Sequence, residues 1–216
     1  MIPADQLLTF ALASAILSLA PGPDIVFVMT QSALYGVRKG IATTAGLCTG
    51  LIFHTSAVAL GVAALFKTSE MAFTLLKTAG AVYLLFLAWQ AWRASSDSGD
   101  NTVPAEARPS EARSGFALYR RGILMNISNP KVSLFFLAFL PQFTAPQYGN
   151  LMLQTAILGA VFMLVGFTLF CAVAWGAASI SQRLMSSARA QKILNRVTAG
   201  IFTAMAVKLA SSTANN

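Results

Sequence analysis

Apolar residues in this chain fall into long continuous runs, not into the short alternating segments of half-buried strands. The runs extend roughly over Leu7 to Gln31, Gly40 to Phe66, Met71 to Trp92, Gly122 to Phe143, Leu151 to Trp175 and Ile193 to Ser211. A helix needs about 20 apolar residues to cross the hydrocarbon of a bilayer, whereas a barrel strand shows about ten residues of alternating polarity. The pattern therefore predicts an all-α protein, an integral membrane bundle of six transmembrane helices. The sixth run has the shortest apolar centre, with Arg196 and Lys208 near its ends.

Two of the runs are interrupted. Pro21-Gly22-Pro23-Asp24 breaks the first, and Asn126-Ile127-Ser128-Asn129-Pro130-Lys131 breaks the fourth. Proline removes a backbone donor and clashes with the preceding turn, so each run is expected to be two half-helices. Irregular backbone and charge persist at membrane depth only where they are buried in protein or line a wet cavity. These breaks are the candidate substrate path.

Composition strengthens the membrane reading. Hydrophobic residues make up 56% of the chain, charged residues 10%, and the mean hydropathy is +0.66. Soluble domains carry about a quarter charged residues. No Asp, Glu, Lys or Arg occurs from Val132 to Gln182, a stretch long enough for two crossings. The N-terminal Met1-Ile2-Pro3-Ala4-Asp5 lacks the basic region of a cleavable signal, so the first run is expected to be retained. No second compositional regime appears, which predicts one transmembrane domain over 1–216. The exception is a polar, Pro- and Ser-containing stretch at about 94–114, which has little to bury and reads as a flexible cytoplasmic linker.

The net charge of +8 is distributed by loop. Arg38 and Lys39, then Arg93, Arg108, Arg113, Arg120 and Arg121, then Arg183, Arg189, Lys192 and Arg196 put eleven of fifteen basic residues in loops one, three and five. Cytoplasmic loops hold such an excess, so both termini are expected outside, in the periplasm of a bacterial cell. The basic balance is thereby explained as topogenic, with no nucleic acid as partner. Three spans per half make the second half inverted relative to the first, and both breaks then fall in the first helix of their half. Paired discontinuous helices in inverted repeats point to a transporter binding site near the midplane.

Residue chemistry at the breaks follows from local rules. Pro21 and Pro23 free carbonyls about one turn upstream, which can face an ammonium or water, and Asp24 begins a new half-helix where unpaired N–H groups favour a carboxylate. The bland alternative is an interfacial turn in which Asp24 merely caps a helix. Asn129 is a good N-cap and Pro130 a good first helical residue. The half-helix from Pro130 to Phe143 would cover about 20 Å, too short to span, which places Lys131 inside. Lys131 then needs a nearby anion, Asp24 or a substrate carboxylate; the alternative is a lysine that snorkels to the surface.

His54, the single histidine, lies in the second run and either carries a proton or donates one hydrogen bond in helix packing. A metal site is not expected from one His and two scattered cysteines, and no phosphate-binding loop or other cofactor motif is present. Gly36, Gly40, Gly46 and Gly50 recur at small spacings and give the second run a small-residue face, suited to bundle contact or to a homodimer seam. A hydrolytic set of Ser18, His54 and Asp24 has no Gly-x-Ser-x-Gly element around the serine, so no enzyme is expected.

These elements in this order resemble a known family. Pro21-Gly22-Pro23-Asp24, Gly36-Val37-Arg38-Lys39-Gly40, Gly46 and Gly50 with His54, Lys77-x-x-Gly80-Ala81-x-Tyr83-Leu84, Asn129-Pro130-Lys131 and Leu140-Pro141-Gln142-Phe143 are similar to the lysine exporter superfamily in its RhtB-like, threonine/homoserine efflux branch. The resemblance implies a bacterial inner-membrane secondary transporter that exports amino acids or related metabolites, driven by the proton motive force. It marks Pro21, Gly22, Pro23, Asp24, Asn129, Pro130 and Lys131 as signature positions. Relatives often carry Asn where this chain has Asp24.

The expected mechanism is alternating access around a midplane site, with Asp24 and freed carbonyls for a substrate ammonium and Lys131 with half-helix N–H groups for its carboxylate. A proton at Asp24 or His54 would couple influx to efflux. The rival class is a passive small-molecule channel lined by the same breaks.

Overall fold

The computed structural model describes residues 2–20, 22–68, 70–94 and 114–179, with isolated positions between 192 and 207. Pro21, most of the expected linker and most of the sixth run lie outside the described residues. Among the described residues there is no strand. Seven α-helices follow one another along the described residues of 2–179: α1 (Ala4–Leu19), α2 (Pro23–Tyr35), α3 (Val37–Thr68), α4 (Glu70–Ala94), α5 (Gly115–Ile127), α6 (Pro130–Ala138) and α7 (Leu151–Ser179). Two 3-10 turns, Leu140–Phe143 and Pro146–Tyr148, connect α6 to α7.

Long apolar helices account for the second and fifth runs, where Val37–Gly61 and Leu151–Ala178 each suffice to cross a bilayer. The first and fourth runs are bent pairs, α1 with α2 at 62° and α5 with α6 and its following turn at 52°. Two spans, or four if each bent pair is one, are thus present. The third run is helical as α4, with Ala81–Gln90 its described apolar stretch.

Helix ends follow the sequence chemistry. The last helical bond of α1 runs from Ala20 N–H to the Ile16 carbonyl, and Gly22 then takes an extended conformation, φ −178°, before Pro23 opens α2. Ser114 caps α5, its hydroxyl accepting from Ala117 N–H. The second half-helix differs from the expected Pro130 to Phe143. It is α-helical only to Ala138, because Pro141 lacks an N–H and biases its predecessor away from the α region, so the chain tightens into a 3-10 turn. Gly36, at φ +86°, is the left-handed joint between α2 and α3 and not a packing position.

α3 packs most extensively against α5 and α7. The close approach to α5 depends on missing side chains. A methyl carbon on Gly122 would lie 2.5 Å from the Thr43 carbonyl oxygen, and one on Gly46 would overlap the Tyr119 carbonyl. Beside this seam Phe10 of α1, Phe135 and Phe136 of α6, Phe139 and Phe143 just beyond it, and Phe162 of α7 form a buried aromatic cluster. Large apolar side chains such as Leu12, Phe53, Leu60, Leu164 and Trp175 face outward, as lipid contact requires.

Candidate functional site

At each break a carbonyl four residues before a proline takes a hydrogen bond from a side chain of another element, although the Asn126 carbonyl also accepts from Asn129 N–H at 3.0 Å. Leu17 precedes Pro21 by four, so its carbonyl has no helical donor. The Lys131 ammonium donates to it at 3.2 Å and to the Ala20 carbonyl at 3.1 Å. Asn126 precedes Pro130 by four, and His54 Nε2 lies 3.1 Å from its carbonyl, a bond that requires the Nε2–H tautomer. His54 is buried, flanked by the Phe53 and Phe136 rings.

Asn129 joins the two breaks. Its Oδ1 accepts from Lys131 N–H at 3.0 Å, which caps α6, while its Nδ2 donates to Asp24 Oδ2 at 2.7 Å. Asp24 lies in the first turn of α2 and is 3% exposed; Lys131 lies in the first turn of α6 and is 9% exposed. The lysine neither snorkels outward nor sits directly on the carboxylate. Its partners are the backbone carbonyls, and Asn129 takes the acid.

Two polar atoms at the breaks remain unmatched. Asp24 Oδ1 and Asn126 Oδ1 are buried acceptors with no hydrogen-bond donor. Asp24, Asn126 and Lys131 line one cavity with Leu17 and Ser18 of α1, Cys48 and Leu51 of α3, Val132 of α6, and Phe162 and Gly166 of α7. It has about 20 Å³ of room for the centres of water molecules, space for a water and far less than an amino acid fills.

Of the residues singled out in the sequence, Asp24, Asn126, Asn129 and Lys131 therefore converge. Gly22 stands against the ammonium, since a methyl carbon there would lie 3.1 Å from Lys131 Nζ. Pro23 and Pro130 occupy the first turns of their half-helices, and Pro130 is exposed. His54 is one step removed, bonded to the backbone of Asn126. Leu17 was readable from its spacing to Pro21, but Ser18, Cys48 and Phe162 carry no local signal. Cys48 and Cys171 are both free thiols. Among the described residues no group of His, Cys, Asp and Glu is arranged to hold a metal.

The family described as LysE type translocator matches residues 15–213. The chain belongs to the LysE family. The LysE chain is 35% identical over 206 residues to a homoserine/homoserine lactone efflux protein of Salmonella typhimurium, covering 94% of this chain and 95% of that protein. It is 34% identical over 171 residues to an uncharacterized membrane protein of Vibrio cholerae, covering 76% and 80%. It is 32% identical over 223 residues to the uncharacterized membrane protein PA4757 of Pseudomonas aeruginosa, covering 95% and 94%. No solved structure matches the LysE chain. Its family and relatives make it a multi-pass membrane protein of the amino-acid efflux type.

Proposed function

We propose that this LysE-family protein is a secondary transporter of the bacterial inner membrane that exports amino acids or close derivatives from the cytoplasm. Homoserine and its lactone are the first substrates to consider, given the relatives of that name. Six spans in two inverted halves, both termini periplasmic, would rock around the junction of the broken helices, with the proton motive force as the energy source.

The observation that carries the reading is the pair of buried acceptors, Asp24 Oδ1 and Asn126 Oδ1, left without donors beside the cavity where the breaks meet. An unmatched buried acceptor costs about 1–3 kcal/mol, so a ligand that brings N–H donors gains that amount back at each. A primary ammonium, the group common to amino acids and homoserine lactone, has three. The cavity is too small for the whole ligand, so the half-helices must part to admit it and close once it leaves. Lys131, already held by carbonyls, is released toward a substrate carboxylate only in that opened state.

Proteoliposomes loaded with labelled homoserine test the reading. Efflux should saturate, show countertransport and rise with an imposed inward proton gradient, and Asp24→Asn should abolish the proton dependence. Non-saturable flux without countertransport would identify a passive pore instead. A survey of single amino acids against cells with and without the protein would then define the cargo.

A further inference from the structure

The ammonium of Lys131 occupies a place that backbone geometry builds for a cation. Two carbonyls converge on it, from Leu17 and Ala20, at distances of 3.2 and 3.1 Å. Gly22 leaves the space for it, since a methyl carbon there would crowd Nζ at 3.1 Å. Asp24 lies on the same cavity with one carboxylate oxygen lacking a donor. Carbonyls of unwound helix segments coordinate sodium ions or protons in secondary transporters. A bare alkali cation takes oxygen ligands of the same kind, and an ammonium is close to potassium in size.

We propose that the Lys131 ammonium is the tethered occupant of a monovalent-cation site at the break between α1 and α2, and that removing its stem opens this site to soluble sodium or potassium. The native protein then needs no alkali cation at this position, because the second half of the chain supplies the charge. Truncation of Lys131 strands the Asp24 carboxyl in a buried setting without its cation, and loss of one partner from a buried charged pair is strongly unfavourable. A soluble cation restores both the charge and the ligation of the Leu17 and Ala20 carbonyls. The oxygen donors at that position would be those two carbonyls and water in the cavity enlarged by the missing stem, with Asp24 on the same cavity supplying the compensating charge.

The test compares the full chain, Lys131→Ala and Lys131→Met in detergent at pH 8, in sodium chloride, potassium chloride or choline chloride of equal ionic strength. Thermal unfolding is read for each. The native protein should melt alike in all three salts. Lys131→Ala should show a saturable stabilisation by sodium or potassium over choline, with the folded-to-unfolded ratio rising about a hundredfold at a hundred times the dissociation constant. Lys131→Met, whose apolar stem refills the space, should show none, and Asp24→Asn added to Lys131→Ala should remove the effect. If Lys131→Ala is recovered folded only in sodium or potassium, that dependence is itself the expected result. Equal behaviour of Lys131→Ala in alkali and choline salts, folded or not, overturns the proposal, as does alkali-dependent stability of the native protein. Because the readout is stability, failure of the transport reading and failure of the cation site remain distinguishable.

Discussion

Asn129→Ala tests whether one amide holds the two broken helices together. The substitution removes the cap on α6, in which Oδ1 accepts from Lys131 N–H, and the bond from Nδ2 to Asp24 Oδ2 at 2.7 Å. Loss of an N-cap costs about 1 kcal/mol, and a hydrogen bond to a charged group contributes about 1.5–3 kcal/mol. The expected destabilisation is the sum, about 2.5–4 kcal/mol. Equilibrium unfolding in mixed micelles would measure it in a cycle of four proteins: native, Asn129→Ala, Asp24→Ala and the double variant. The coupling energy isolates the bond between the halves and should fall at about 1.5–3 kcal/mol, the cap cancelling because both arms contain it. Additivity within about 0.5 kcal/mol would refute the reasoning, since residues without a shared interaction behave that way.

Gly22→Val should slow transport about ten- to a hundredfold by displacing the Lys131 ammonium from its carbonyls, the equivalent of one lost charge-assisted bond of about 1.5–3 kcal/mol; unchanged efflux rates would argue against the cradle. Gly122→Val should lower stability by about 1–3 kcal/mol through overpacking against Thr43 on α3, while Gly61→Ala, which meets nothing within 4 Å, should be neutral in the same unfolding assay. Gln154→Leu should speed hydrogen exchange in the loop before α7. It deletes the bonds that this side chain makes to Ala145 N–H, the Ala145 carbonyl and the Gly149 carbonyl, each unmatched group costing about 1–3 kcal/mol.

Legibility in the sequence tracked the range of the forces involved. The breaks were readable because proline and an Asn cap act within one turn: Pro23 and Pro130 open their half-helices where the dihedral rules put them. The fourth run continues to Phe143, but its α-helical part stops at Ala138, where the missing N–H of Pro141 turns the remainder into a 3-10 turn that an apolar run alone does not reveal. That freed carbonyls could face an ammonium also followed from the sequence. Which ammonium did not, because Lys131 lies 114 residues from Leu17 and 111 from Ala20, and no periodicity reports contacts at that separation. The amide of Asn129 was readable as a cap from its Oδ1 alone. Its second valence, spent on Asp24, required the tertiary arrangement.

The aromatic cluster beside the cavity has an electrical consequence. Phe162 lines the cavity and touches the rings of Phe135 and Phe136, at centroid separations of 5.6 and 5.0 Å. Phe135 in turn packs at a tilt against Phe139, and Phe139 against Phe143. A layer of phenyl groups offers no relay for protons and no shell for hydrated ions. Across an energised bilayer each unit charge is driven by about 2.3 kcal/mol per 100 mV. For a protein embedded as proposed above, those rings would insulate the closed cavity, and the bilayer would keep its voltage between transport cycles.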